Sequence, residues 1–224
     1  MATIAANIQQ VRGRIARACA AAQRPVQSVT LLTVSKTFSA DAVREAFDAG
    51  ERCFGENYVQ EGVDKIAALA DLREQMTWHL IGPLQSNKTR TVAEQFDWVH
   101  SVDRLKIAER LSEQRPAHLP ALQVCLQVNI SGEASKSGAA LNDVPALAQA
   151  IAALPRLRLR GLMAIPEPDT GAAPHRALRG LLERLQNVGL ALDTLSMGMS
   201  ADLEVAIAEG STLVRVGTAI FGNR

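Results

Sequence analysis

At 224 residues, with 47% hydrophobic and 21% charged residues, the chain has the make-up of a globular protein with a full core. A formal net charge of +1 gives no electrostatic reason to expect a nucleic-acid partner, and no apolar run approaches the length that crosses a bilayer. Three cysteines and four histidines are dispersed without metal-ligand spacing, which argues against a zinc site and for buried thiols in a reducing, cytoplasmic compartment.

Ile4, Ile8, Val11 and Ile15 recur at helical spacing and predict a helix over 3–22 with one face on a core. Arg12, Arg14, Arg17 and Arg24 precede any acidic residue, a pattern also found in mitochondrial presequences; the apolar face favours a structural helix. From residue 29 onward, short apolar runs alternate with amphipathic stretches. Strands are expected at 29–35, 52–55, 77–81, 97–101, 122–129, 158–164, 194–197 and 213–216. Helices are expected near 39–49, 57–71, 86–95, 103–113, 142–153, 173–188 and 200–208.

Continuous apolar strands separated by helices indicate parallel βαβ units. Eight of them favour an α/β fold of one domain over 1–224, a closed (β/α)8 TIM barrel with an extra N-terminal helix packed outside the regular order. An open doubly wound sheet is the alternative, but no Gly-rich fingerprint follows the first strand.

In such a barrel, chemistry sits at the C-terminal strand ends. That rule collects Lys36 after strand one, Glu56 and Asn57 after strand two, and His79 with the Gly82-Pro83 turn after strand three. It adds Asn129, Met163, the run from Ser196 to Ser200, and Arg215, Gly217 and Thr218. Lys36 closes a buried run, where desolvation favours the neutral, nucleophilic amine, although most lysines at strand exits simply reach solvent. The loops after strands seven and eight are the common phosphate place of this fold. There Gly217 permits close backbone approach, and Ser200 stands where a helix begins. Ser200 alone reads as an N-cap and Gly217 alone as a turn glycine. Together, opposite Lys36, they favour a phosphate cradle. An amine plus a phosphate cradle suits a sugar phosphate, as in aldolases, or pyridoxal 5'-phosphate (PLP).

Several long stretches are similar to one family. They are LLTVSKT at 31–37, FGENYVQEGVDKI at 54–66, WHLIGPLQSNK at 78–88, VNISGEASKSG at 128–138, LRGLMAIP at 159–166, LSMGMSADLEVAIAEGST at 195–212 and VRVGTAIFG at 214–222. On these the chain resembles the YggS/PROSC family of PLP-binding homeostasis proteins. The resemblance implies a barrel like the N-terminal domain of alanine racemase, with PLP held as a Schiff base on Lys36. It implies phosphate contacts from Ser200, Gly217 and Thr218, Arg215 facing the pyridine nitrogen, and Asn57, Met163 and His79 around the ring. Ala201 departs from an acidic residue seen in some relatives.

An arginine beside the pyridine nitrogen keeps that nitrogen unprotonated and the ring a weak electron sink. The resemblance therefore favours a non-catalytic carrier in vitamin B6 homeostasis, with PLP-dependent apo-enzymes as recipients. The competing reading is an amino-acid racemase, which needs a base on each face of the substrate. Its relatives take one from a tyrosine in a second domain. This chain has one tyrosine, Tyr58, and with strand eight expected at 213–216 no second domain is expected after it. A closed barrel without sheet edges makes a monomer the expectation. Lys136, in the small-residue loop after strand five, reads first as a solvated loop lysine and second as a candidate for covering the cofactor or meeting recipients.

Overall fold

The eight apolar runs close into a parallel barrel in sequence order, β1-β2-β3-β4-β5-β6-β7-β8, in which β8 pairs back onto β1. The structure, a computed structural model, describes residues 3–132, 137–168 and 170–222. The strands are β1 (Thr30–Val34), β2 (Cys53–Glu56), β3 (Thr77–Leu80), β4 (Trp98–Val102), β5 (Leu122–Gln127), β6 (Leu157–Met163), β7 (Thr194–Ser196) and β8 (Leu213–Val216). The α-helices are α1 (Ile4–Ala21), α2 (Ala40–Asp48), α3 (Val59–Ala68), α4 (Thr89–Gln95), α5 (Leu105–Gln114), α6 (Val144–Ala152), α7 (Ala173–Asn187), α8 (Leu203–Ala208) and α9 (Thr218–Phe221).

The outer face of the strands packs on the apolar faces of the helices. Phe54, Trp78 and Phe96 are fully buried there, each stabilising the fold by about 1.5–3 kcal/mol. The first helix is part of this layer. Thr3 caps α1 by accepting from the Ala6 amide, and Ile8, Val11 and Ile15 are buried. Arg14 grips Glu204 with two bonds of 2.7 and 2.8 Å, Arg24 donates to the Ile207 carbonyl, and Asn7 donates to the Ile220 carbonyl. These contacts seat α1 against α8 and α9, beside α2, over the seam between β8 and β1. It thereby does the work of the eighth outer helix.

Two differences from the sequence reading have local causes. The helix expected from residue 200 starts at Leu203. The carboxylate of Asp202 accepts the Met199 amide at 2.7 Å and pairs with His175, so 200–202 close into a turn first. The residues after β8, for which no element was expected, form the short α9, fixed by Phe221 stacking on Phe38 at 4.8 Å. Among the described residues no helix is long and apolar enough to cross a membrane, and no cluster of ligating side chains suits a metal ion.

Candidate functional site

A cavity of about 560 Å³ opens at the C-terminal ends of the strands. Its lining includes Lys36, Asn57, Ser200, Arg215, Gly217 and Thr218, six residues that the strand-end rule had collected from four separate segments. Apolar walls are supplied by Val34, Phe38, Ile81, Ile165 and Met199.

The site is built around the β8–β1 seam. Register pairs Leu32 with Arg215 and Thr33 with Val216, which puts Gly217 beside Val34. A Cβ on Gly217 would lie 2.9 Å from the Val34 carbonyl oxygen, so the two strand ends close only because this residue is glycine. The expected position of the cradle opposite Lys36 is thereby corrected. Closure of the barrel makes β8 a neighbour of β1, and Gly217 and Thr218 stand beside the root of Lys36. Gly82 performs a similar service for Asn57, since a Cβ there would meet the Asn57 carbonyl oxygen at 2.1 Å. The buried Asn57 Oδ1 has no hydrogen-bond partner among the described residues.

Ser200 lines the cavity but is not an N-cap; it lies in the turn before α8, its carbonyl bound by Arg14 at 2.9 Å. His79 and Met163 do not line the cavity. Both are almost fully buried one layer below it. Side chains alternate along a strand, so the positions at the mouth pass to Ile81 and Ile165, two residues further on the same faces. Glu56 is wholly buried and turns to Lys65, away from the cavity. Asn129 accepts the Gly132 amide within its own loop. Lys136 lies outside the described residues.

Beneath the cavity runs a polar chain through the barrel interior. Arg215 donates to the Ser196 carbonyl at 2.6 Å, to the Ser196 hydroxyl at 2.8 Å and to the Ala164 carbonyl at 2.9 Å. The Ser196 hydroxyl meets His100 Nδ1 at 2.8 Å, and His100 Nε2 meets His79 Nδ1 at 2.9 Å. Arginine only donates, so a consistent order runs from Arg215 through Ser196 and His100 to His79. Burial lowers the Arg215 guanidinium to about 10, which leaves it charged at neutral pH. Burial also lowers His79 to about 3, and His100, additionally facing His79 and Arg215, falls well below the usual imidazole range. Both imidazoles are neutral, and the site carries its positive charge at the mouth.

Sequence reasoning missed the apolar wall and also Lys65. The i,i+4 spacing of Glu61 and Lys65 was the only signal for the latter, and it ordinarily marks a solvated helix face.

A closed parallel barrel with a lysine, an arginine and a Ser-Gly-Thr edge at one mouth defines a class, the barrels built like the N-terminal domain of alanine racemase. The family model for "Alanine racemase, N-terminal domain" matches residues 1–224. An alanine racemase from Corynebacterium glutamicum shares the fold at 15% identity and a TM-score of 0.68, over 95% of this chain and 61% of that one. The nearer relatives are more particular. The pyridoxal phosphate homeostasis protein of Pseudomonas aeruginosa is 65% identical over 100% of this chain and 97% of its own length, and that of Escherichia coli K12 is 55% identical over 100% and 98%. PipY of Synechococcus elongatus, solved with PLP bound, matches at 41% identity and a TM-score of 0.86, over 98% of this chain and 100% of that one. The chain belongs to the family of pyridoxal phosphate homeostasis proteins.

Proposed function

We propose that this protein binds PLP in the mouth of the barrel, tethers it reversibly as a Schiff base on Lys36, and serves intracellular PLP homeostasis without catalytic turnover. The observation that carries this reading is the single cavity lined by Lys36 together with Ser200, Arg215, Gly217 and Thr218. Its residues suit the cofactor. The volume of about 560 Å³ lies in the range of small-molecule sites. The close approach at Gly217 and the hydroxyls of Ser200 and Thr218 form an edge fit for a phosphate. The amides that open α9 have no partner within that helix and can face the same anion.

When bound, PLP supplies an aldehyde that a primary amine captures with loss of one water. Lys36 offers that amine beside the phosphate edge. Among the described residues no carboxylate pairs with it, because Glu56 and Glu61 are both taken by Lys65. Arg215, fixed by two carbonyls, would hold the ring-nitrogen side of PLP as a permanent cation and so would keep that nitrogen unprotonated. Ile81, Ile165 and Phe38 exclude water from the ring. Met163 and His79 support this floor from the layer below.

The carrier reading is preferred to a racemase because Tyr58, the one tyrosine, is 60% exposed and does not line the cavity. No second base on a tyrosine therefore faces the substrate position. As part of the same reading, the whole of 1–224 acts as one domain, monomeric and cytoplasmic, and delivers PLP to apo-enzymes. The free thiols of Cys19, Cys53 and Cys125 support the compartment.

The test is direct. Added PLP is expected to give a visible absorbance band, and borohydride is expected to fix the cofactor to the peptide bearing Lys36. Lys36→Ala is expected to lose both signals. Equal behaviour of the variant and the native protein would remove Lys36 from the reading, and sustained racemisation of alanine would overturn the carrier role.

A further inference from the structure

The peptide on both sides of Lys36 is held by one buried ammonium. Lys65 of α3, 5% exposed, donates to the Ser35 carbonyl at 2.6 Å and to the carboxylates of Glu56 and Glu61, each at 2.7 Å. The Ser35 hydroxyl donates to the same Glu56 oxygen at 2.6 Å. On the other side of Lys36, the Thr37 amide donates to the Glu61 oxygen that Lys65 also reaches. Residue 35 is thus tied to Lys65 directly, and residue 37 through Glu61.

Two features say that this arrangement does more than fill the core. Thr37 has φ of +68°, a left-handed conformation that β-branched residues rarely take, and the bond from its own amide to Glu61 holds it there. A buried ammonium with two carboxylates is also a poor source of stability, since apolar packing of the same volume generally serves as well. What the cluster supplies is direction. It fixes where the chain turns out of β1, and therefore where the Lys36 side chain leaves the backbone.

We propose that Lys65 is a positioning residue for Lys36, acting through the Ser35 carbonyl and through Glu61 to hold the Lys36 amine where it meets the aldehyde of a phosphate-anchored PLP. This rests on the reading of Lys36 as the PLP-bearing lysine. Lys65 itself does not line the cavity, and its effect is on capture of the aldehyde, not on recognition of ring and phosphate.

The experiment separates these two steps. Lys65→Met and Glu61→Ala are compared with the native protein for the rate and extent of PLP capture, read from the visible band and from borohydride-fixed Lys36 peptide. Binding of 4'-deoxypyridoxine 5'-phosphate, which keeps ring and phosphate but has no aldehyde, is measured in parallel. Loss of a charge-assisted bond is expected to lower capture about tenfold, while affinity for the aldehyde-free analogue stays within about twofold. Glu61→Gln keeps an acceptor for the Thr37 amide and is expected to restore most of the capture. The Glu61 side chain is 26% exposed, so Glu61→Ala carries the test if Lys65→Met fails to fold. Unchanged capture in Glu61→Ala, or parallel loss of the analogue, would overturn the proposal. Failure of the native protein to fix PLP at Lys36 would instead overturn the underlying reading, and the proposal with it.

Discussion

Gly217 stands so close to Val34 that a side chain on it would press against the Val34 carbonyl oxygen at 2.9 Å and the Val34 Cβ at 3.3 Å. Val34 ends β1 two residues before Lys36, and Gly217 follows β8 at the foot of α9. The spacing between Lys36 and the Gly217-Thr218 edge, proposed to hold the phosphate, is therefore set by a backbone contact across the barrel seam. A flexible side chain could yield; the main chain of a strand paired on both sides yields little.

Gly217→Ala is expected to part the two strand ends, lowering stability by about 1–3 kcal/mol and weakening PLP binding at the same time. Thermal unfolding and a PLP titration measure the two effects. Gly13→Ala is the control of opposite sign. Gly13 lies within α1 and a Cβ there meets only the end of the Arg17 side chain at 3.4 Å, so the change is expected to stabilise by up to about 1 kcal/mol.

Arg215→Lys tests the planar fork. The guanidinium reaches the carbonyls of Ser196 and Ala164 from two nitrogens at once, and an ammonium cannot span both. One buried carbonyl is left without its partner, at a cost of about 1–3 kcal/mol in stability. The visible band of bound PLP is expected to shift, because the charge proposed to face the ring nitrogen moves. A variant with native stability and an unaltered spectrum would mean that Arg215 holds neither the carbonyls nor the ring.

The barrel was legible in the sequence because each strand is a continuous apolar run, the mark of a strand buried on both faces. Lys36, Asn57, Arg215, Gly217 and Thr218 were legible because strand ends gather at one mouth. His79 and Met163 were assigned one layer too high. The rule identifies strand ends but not which alternate residue reaches the rim, and Ile81 and Ile165 hold those places. Ser200 lost its capping role to a contact with distant origins, the Asp202 carboxylate shared between Met199 and His175. The Lys65 cluster joins α3 to the exits of β1 and β2, and only its Glu61–Lys65 spacing was local enough to read.

The thiols are expected to be inert in the native state. Burial pushes Cys53 up to about 11 and Cys125 up to about 12, and thiolate is the reactive form. At mildly alkaline pH, iodoacetamide is expected to label neither until the chain is unfolded, as mass spectrometry of the intact protein would record. Rapid native labelling of Cys53 would show that its surroundings are wetter and less acidic than Glu51 and Asp97 make them.

Acid stability is governed in part by the buried pair His79 and His100. Unfolded, each imidazole takes a proton near 6.5; folded, His79 resists until about 3, and His100 is depressed as well. Between those values the unfolded chain binds more protons than the native one, so stability falls as pH falls. The contribution is complete above 6.5 and is lost progressively toward the folded values. Each histidine accounts for up to about 1.4 kcal/mol per pH unit in that window. Urea midpoints measured from neutral pH down to about pH 5 are expected to drop accordingly, ahead of the range in which carboxylates begin to protonate. His100→Gln removes one of the two titrating groups. It is expected to lower stability at neutral pH by breaking the bonds to Ser196 and His79, yet to flatten the acid dependence. A variant with the native slope would show that His100 is not one of the groups that set the acid dependence.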